Sequence, residues 1–226
     1  MSSTLKLLSP DLKRLGFWFL WVAVVLLPFI LFWDKPLAWY FEEQLDRSIH
    51  TLMGDVTEAA NSAIWFGIAF IGLAACIVLA HRAKNAETAL TLRRHARSWG
   101  FMIISMATAA VAVNALKLIT GRYRPRYLFN DNVFGFEPFS VALKMASFPS
   151  GHAQSIWSAM IALSFLTPRC TPAYVAVALT VSMSRFLTAV HFVSDVIMSA
   201  FISIAVAMLL RRWFERNGQS VQLSQH

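Results

Sequence analysis

The chain has 226 residues, of which 57% are hydrophobic and 14% charged, against about 45–50% and about 25% in ordinary soluble domains. So few charges cannot cover the surface of a soluble enzyme of this length. The 18 Phe and 8 Trp exclude disorder, and 2 Cys exclude a disulfide scaffold. The composition is that of a polytopic membrane protein.

Six uncharged stretches follow one another along the chain. Leu15–Trp33, Ala59–Ala80 and Ser98–Leu116 contain 19, 22 and 19 residues, which suits a bilayer span of roughly 20. Ala153–Pro168, Cys170–Ser184 and Val196–Leu210 contain only 16, 15 and 15. They become spans if His152, Arg185, His191 and Asp195 lie at or just inside the membrane edge, where charged groups usually face a polar cavity. The expectation is an all-α fold: one six-helix membrane domain over residues 1–226. Its spans lie near 15–33, 60–80, 98–118, 152–168, 170–188 and 193–211, with one long outer loop at 121–150. The first run follows Lys13 and Arg14 as a leader peptide would, but it is long for one and lacks a small-x-small cleavage site, so it is read as a span.

Lysine and arginine set the orientation. With the N-terminus inside, the inner segments hold 12 of the 20 basic residues and only Asp11, Glu87 and Glu215 among the 12 acidic ones, which is the positive-inside pattern. Both termini are expected to be cytoplasmic. The net charge of +8 is then a topology signal, and no nucleic-acid partner is expected. Between the first two spans, Leu37, Tyr40, Phe41, Leu45, Ile49 and Leu52 recur at steps of three or four. This predicts an amphipathic helix, either lying in the outer interface or packed on the bundle as a lid. Cys76 and Cys170 fall in a span and an inner loop and are read as packing residues.

Three clusters of unusual residues fall on the outer side. Lys117, Arg124 and Pro125 follow the third span; Pro149, Ser150, Gly151 and His152 precede the fourth; Ser184, Arg185, His191 and Asp195 straddle the fifth-to-sixth connection. Lys117, Arg124 and Arg185 supply three cations suited to phosphate oxygens. Ser150 and Gly151 begin a helix, where backbone N–H groups and the helix dipole favour an anion. His191 and Asp195 are four apart on one helical face, so the carboxylate can orient the imidazole. These roles predict attack of His191 on phosphorus, protonation of the leaving oxygen by His152, and hydrolysis of the phosphohistidine by water that His152 activates. Two histidines and a carboxylate also fit zinc, but three cations oppose a divalent ion. Neither metal nor cofactor is expected.

Taken together, Lys117-x6-Arg124-Pro125, Pro149-Ser150-Gly151-His152 and Ser184-Arg185-x5-His191-x3-Asp195 resemble the three signature motifs of the type 2 phosphatidic-acid phosphatase superfamily. The resemblance implies a metal-independent phosphatase with a six-helix bundle and a phosphohistidine intermediate. It makes His191 the nucleophile, Asp195 its partner and His152 the acid, with Lys117, Arg124, Ser150, Gly151 and Arg185 binding phosphate. Substrates in such a family include phosphatidic acid, phosphatidylglycerol phosphate, undecaprenyl diphosphate and lipid A phosphates. The expected setting is a bacterial inner membrane with the site facing the periplasm. A lipid-phosphate transporter without turnover, and more distantly a vanadate-dependent haloperoxidase, are the alternatives. The aromatic segment Asn130–Ser140, beside Phe129, is expected either to dip into the membrane or to cap the bundle, and burial of rings against one another favours the cap.

Overall fold

A computed structural model describes residues 16–139 and 146–222. Lys6, Lys13 and Arg14, on which part of the orientation argument rests, lie outside the described residues, as does 140–145 of the outer loop. We label the helices α1 (Gly16–Gln44), α2 (Arg47–Glu58), α3 (Ser62–Arg82), α4 (Ala86–Thr120), α5 (Pro125–Asp131), α6 (Gly151–Leu166), α7 (Thr171–Leu187) and α8 (Val193–Arg216). No strand occurs among the described residues, only an isolated antiparallel bridge between Arg122 and Phe136.

The capping residues explain where several helices begin. Asp46, Asn61, Asn85 and Ser150 each accept a backbone N–H of the first turn of α2, α3, α4 and α6, satisfying donors that have no partner within the helix. Gly121 ends α4 at φ 55°, and a methyl group there would lie 1.8 Å from the Glu137 carbonyl oxygen. Only glycine fits this position, where the chain turns out of the span and runs directly beside the loop.

Among the described residues, five segments are long and apolar enough to cross a bilayer: Gly16–Gln44, Arg47–Arg82, Ala86–Thr120, Pro168–Leu187 and Val193–Arg216. The expected fourth span, α6, is a helix of 16 residues, about 24 Å long at 1.5 Å per residue and so shorter than a typical hydrocarbon core. Its shortness fits its position. Eleven of its 16 residues are buried, and it packs against α4, α7 and α8, so it lies in the middle of the bundle with other helices between it and lipid. The first helix is the opposite case. Phe17, Trp18, Phe19, Trp21, Leu27 and Phe32 are all more than half exposed, as befits a peripheral helix whose solvent is lipid.

Three boundaries differ from expectation. The first helix continues past residue 33 to Gln44, with a π turn at Phe29–Trp33 immediately before Asp34. The third span, α4, begins at Ala86 rather than near 98, because helical structure runs back through the polar turns that precede the apolar run; at 35 residues it is about 52 Å long and outreaches the hydrocarbon layer. The amphipathic stretch from Leu37 to Leu52 is two helices, not one. Leu45 is extended, and the Asp46 carboxylate takes the Ser48 N–H and hydroxyl at 2.7 and 2.6 Å. A local cap there outcompetes helix continuation. The second of these helices, α2, packs on α7.

Candidate active site

Each sequence cluster emerges from the end of a helix. Lys117 lies in the last turn of α4, and its Nζ donates to the carbonyls of Ala146 and Pro149 at 2.8 and 2.5 Å. The lysine therefore ties its own helix to the segment that leads into α6. Arg124 is the residue before α5, with Pro125 in the first helical position, where a missing N–H costs nothing. Ser150 caps α6, and its carbonyl accepts the Ser199 hydroxyl at 2.8 Å while its N–H donates to the Asp195 carbonyl at 3.2 Å. The start of α6 is thereby fixed to the start of α8.

The turn from α7 to α8 brings the third cluster to the same place. The N–H groups of Val190 and His191 both donate to the Arg185 carbonyl, at 3.2 and 3.1 Å, and Ala189 adopts φ 49° to make this possible. Arg185 is buried, with one guanidinium nitrogen on the Thr57 hydroxyl of α2 at 2.5 Å. The buried nitrogens Arg124 Nε and Arg185 Nε have no protein partner, so each arginine keeps donor capacity for an anion. The charges of Lys117, Arg124 and Arg185 act on His152, and those of Lys117 and Arg185 on His191. The three clusters, 117–124, 149–152 and 184–195, form one site.

His191 is 3% exposed. Its Nδ1 lies 3.4 Å from Asp195 Oδ2 and 3.5 Å from the Ser147 hydroxyl. A contact of this length in the free protein is of the kind that tightens when substrate arrives. Burial, against the pull of Asp195 and reinforced by Lys117 and Arg185, pushes the imidazole down to about 3, so the ring is neutral at working pH. With Nδ1 turned to a carboxylate, the lone pair resides on Nε2.

Asp195 is fully buried and divides its two oxygens between different partners. Oδ2 accepts from the Ser147 hydroxyl at 2.6 Å and the Phe192 N–H at 2.9 Å, besides facing His191. Oδ1 accepts from Arg122 at 2.7 Å. Arg122 is itself fully buried, and its second terminal nitrogen reaches Asp34 of α1 at 2.9 Å. Phe134, Phe136, Phe148 and Phe192 surround this guanidinium at 4.3–6.0 Å.

Sequence reasoning did not single out Arg122, Asp34, Ser147 or Thr57. Arg122 stands between the motif positions Lys117 and Arg124, and in the sequence it is one of several basic residues on the outer side. Asp34 ends the first apolar run, where an acid is either exposed at the interface or placed there for a purpose. The aromatic segment behaves as the expected cap: Phe129 packs on Trp39 at 4.9 Å and Phe134 on Phe192 at 5.3 Å. Phe139 departs from this and is 72% exposed.

Beside His152 a cavity of about 340 Å³ opens between α3, α4 and α6, lined by Asn61, Phe66, Asn114, His152 and Gln154 among others. Among the described residues, no group of three or more His, Cys, Asp or Glu side chains is disposed to hold a metal ion.

The chain is 31% identical over 121 residues to a lipid A 1-phosphatase of Rhizobium johnstonii, an alignment covering 51% of this chain and 50% of that one. It is 33% identical over 102 residues to a lipid A 1-phosphatase of Rhizobium etli, covering 44% of each. The chain thus spans about half the length of the curated relatives it matches. A transmembrane PAP2 type phosphatidylglycerolphosphate phosphatase from Bacillus subtilis, known from its crystal structure, shares the fold with a TM-score of 0.63 at 19% identity, covering 90% of this chain and 96% of that one. The PAP2 superfamily model matches residues 98–219, more than half of the sequence and all three clusters, and on that match the chain belongs to the PAP2 superfamily.

Proposed function

We propose that this membrane protein is a lipid phosphatase that removes a phosphate group through a phosphohistidine intermediate, without a metal ion. The observation that carries the reading is the buried His191, held against a buried carboxylate and under the charges of Lys117 and Arg185, with the start of α6 tied to the residue that carries that carboxylate. In the first step the Nε2–P bond forms, the P–O bond to the lipid breaks, and the leaving oxygen takes a proton from His152. In the second, water attacks phosphorus, the P–N bond breaks, and the water proton returns to His152. Lys117, Arg124, Arg185 and the Ser150–Gly151 backbone carry the charge that builds on the phosphoryl oxygens. Asp195 holds the Nδ1 proton and stabilises the cationic ring.

The leaving group would occupy the cavity beside His152. Its amide side chains from Asn61, Asn114 and Gln154 suit a hydroxylated headgroup, and its apolar wall suits the root of an acyl chain. Together with the relatives named as lipid A 1-phosphatases, this favours a lipid whose phosphate is carried on a sugar. Undecaprenyl diphosphate, phosphatidylglycerol phosphate and phosphatidic acid are the competing substrates. The positive-inside pattern supports cytoplasmic termini and a site facing the periplasm of a bacterial inner membrane.

The test is phosphate release by the detergent-purified protein in excess EDTA over a panel of these four lipid classes. Turnover that survives EDTA and falls at least about a thousandfold in His191→Ala, with the variant still folded, is the expected result. Release unaffected by His191→Ala would sink the mechanism. No release from any lipid by folded protein would move the reading to a carrier.

A further inference from the structure

Asp34 lies on α1, outside the matched residues 98–219, yet it is 1% exposed and reaches the centre of the site through a continuous chain of polar contacts. One guanidinium serves two carboxylates: Arg122 donates to Asp34 Oδ2 at 2.9 Å and to Asp195 Oδ1 at 2.7 Å. Ser194 closes the circuit. Its hydroxyl accepts from Arg122 at 2.7 Å and donates to Asp34, and its N–H donates to Asp34 Oδ1 at 3.1 Å. A carboxylate wholly removed from solvent is costly unless it is paired, and the two acids here outnumber the one guanidinium between them. That imbalance has a chemical use. Were Arg122 paired with Asp195 alone, it would neutralise the charge that Asp195 directs at His191. By drawing on the same guanidinium, Asp34 leaves Asp195 with more negative character at Oδ2, the oxygen that faces the imidazole.

We propose that Asp34 is a positioning residue for the reaction, acting through Arg122 to hold Asp195 in place and to keep its charge available to His191. The π turn at Phe29–Trp33 directly precedes Asp34, and Leu26, Asp34 and Ala38 are the buried positions of this lipid-facing helix. Such widened turns are frequent at functional sites. The proposal rests on His191 as the nucleophile. It makes the first helix part of the catalytic apparatus.

The test is Asp34→Asn, which keeps the shape, removes the charge and turns one of the two acceptor oxygens into a donor. The expected result is a ten- to hundredfold loss of kcat, with KM within threefold and inhibition by inorganic phosphate unchanged. The acid limb of the kcat/KM profile moves to lower pH, because a nearby negative charge favours protonated imidazole and its loss disfavours that form. The charged groups facing His191 are Asp195 from α8, Lys117 from α4 and Arg185 from α7, and none of them is altered. A merely structural Asp34 would lower the folded fraction and leave the profile of the folded protein in place. A folded Asp34→Asn with kcat within twofold and a superimposable profile overturns the proposal. If Asp34→Asn does not fold, Ser194→Ala removes the hydroxyl that bridges Asp34 and Arg122 beside their direct contact and so loosens the coupling without changing any charge. A three- to tenfold loss of kcat at constant KM then supports the proposal, and full activity overturns it. Retained activity in His191→Ala would show instead that the underlying mechanism is wrong, whatever Asp34 does.

Discussion

His191 gains its character from burial, and the same burial links it to stability. Its folded pKa is depressed to about 3, below the roughly 6.5 of an imidazole in an unfolded chain. Between those values the unfolded state binds the extra proton, so stability is lost as pH falls through that window. The melting temperature in detergent should therefore drop between pH 7 and pH 5. His191→Gln, which cannot be protonated there, should remove part of that drop. An identical pH dependence in both proteins would show that this histidine is not the group responsible. The motif residues were legible in the sequence because phosphate chemistry demands particular residue types at helix ends. Arg122 and Asp34 were not, because their meaning depends on a contact across 88 positions. Ser147 donates to Asp195 across 48 positions and was hidden in the same way.

At the level of elements, α6 and α8 meet along a polar seam with matching periodicity. Ser150, Gln154 and Ser158 recur every four residues on one side, and Asp195, Ser199 and Ser203 do so on the other. The Ser199 hydroxyl bonds the Ser150 carbonyl at 2.8 Å, the Ser203 hydroxyl bonds the Gln154 carbonyl at 3.1 Å, and the Ser158 and Ser203 hydroxyls are 3.0 Å apart. Small side chains let two helices approach closely, and their hydroxyls serve as cross-links where water is scarce. The four-residue repeat was present in the sequence, but its partner helix was not identifiable from either segment alone. Ser199→Ala should cost about 0.5–1.5 kcal/mol and lower kcat, since Ser199 ties the residue that caps α6 to the helix carrying Asp195. Ser199→Val, bulkier and without the hydroxyl, should cost more. Denaturation midpoints and kcat measured on both variants check this ordering; equal stability of wild type and Ser199→Val would remove the seam's importance.

The architecture of the whole molecule was predicted as six helices, and its main departures come from length being a poor guide to position. The shortest of the six, α6, is the central one. The longest, α4, carries Arg93 and Arg94 in turns that precede its apolar run and keeps Lys117 at its other end. Between α3 and α4 the fit is close: a methyl group on Gly72 would lie 2.5 Å from the Trp99 ring, so glycine lets the indole rest on the neighbouring backbone. Hydropathy marks apolar runs, but such fits depend on the facing helix and cannot be read one segment at a time.

The cations at the site come from parts of the chain far apart in sequence: Lys117 ends α4, Arg124 opens α5 and Arg185 ends α7. Like charges gathered in one place oppose the very assembly that gathers them. An anion among them is consequently a thermodynamic tie between elements, and the reaction proposed above both takes in and releases such an anion. By linkage, inorganic phosphate at ten times its dissociation constant should add about 1.4 kcal/mol of stability, which corresponds to a rise of about 3–6 °C in the melting temperature for a chain of this size. Chloride at matched ionic strength should give much less, and Arg124→Ala should lose most of the gain. If the proposed reaction holds, the protein is protected from unfolding by what it releases, so that resistance to heat and inhibition by product rise together.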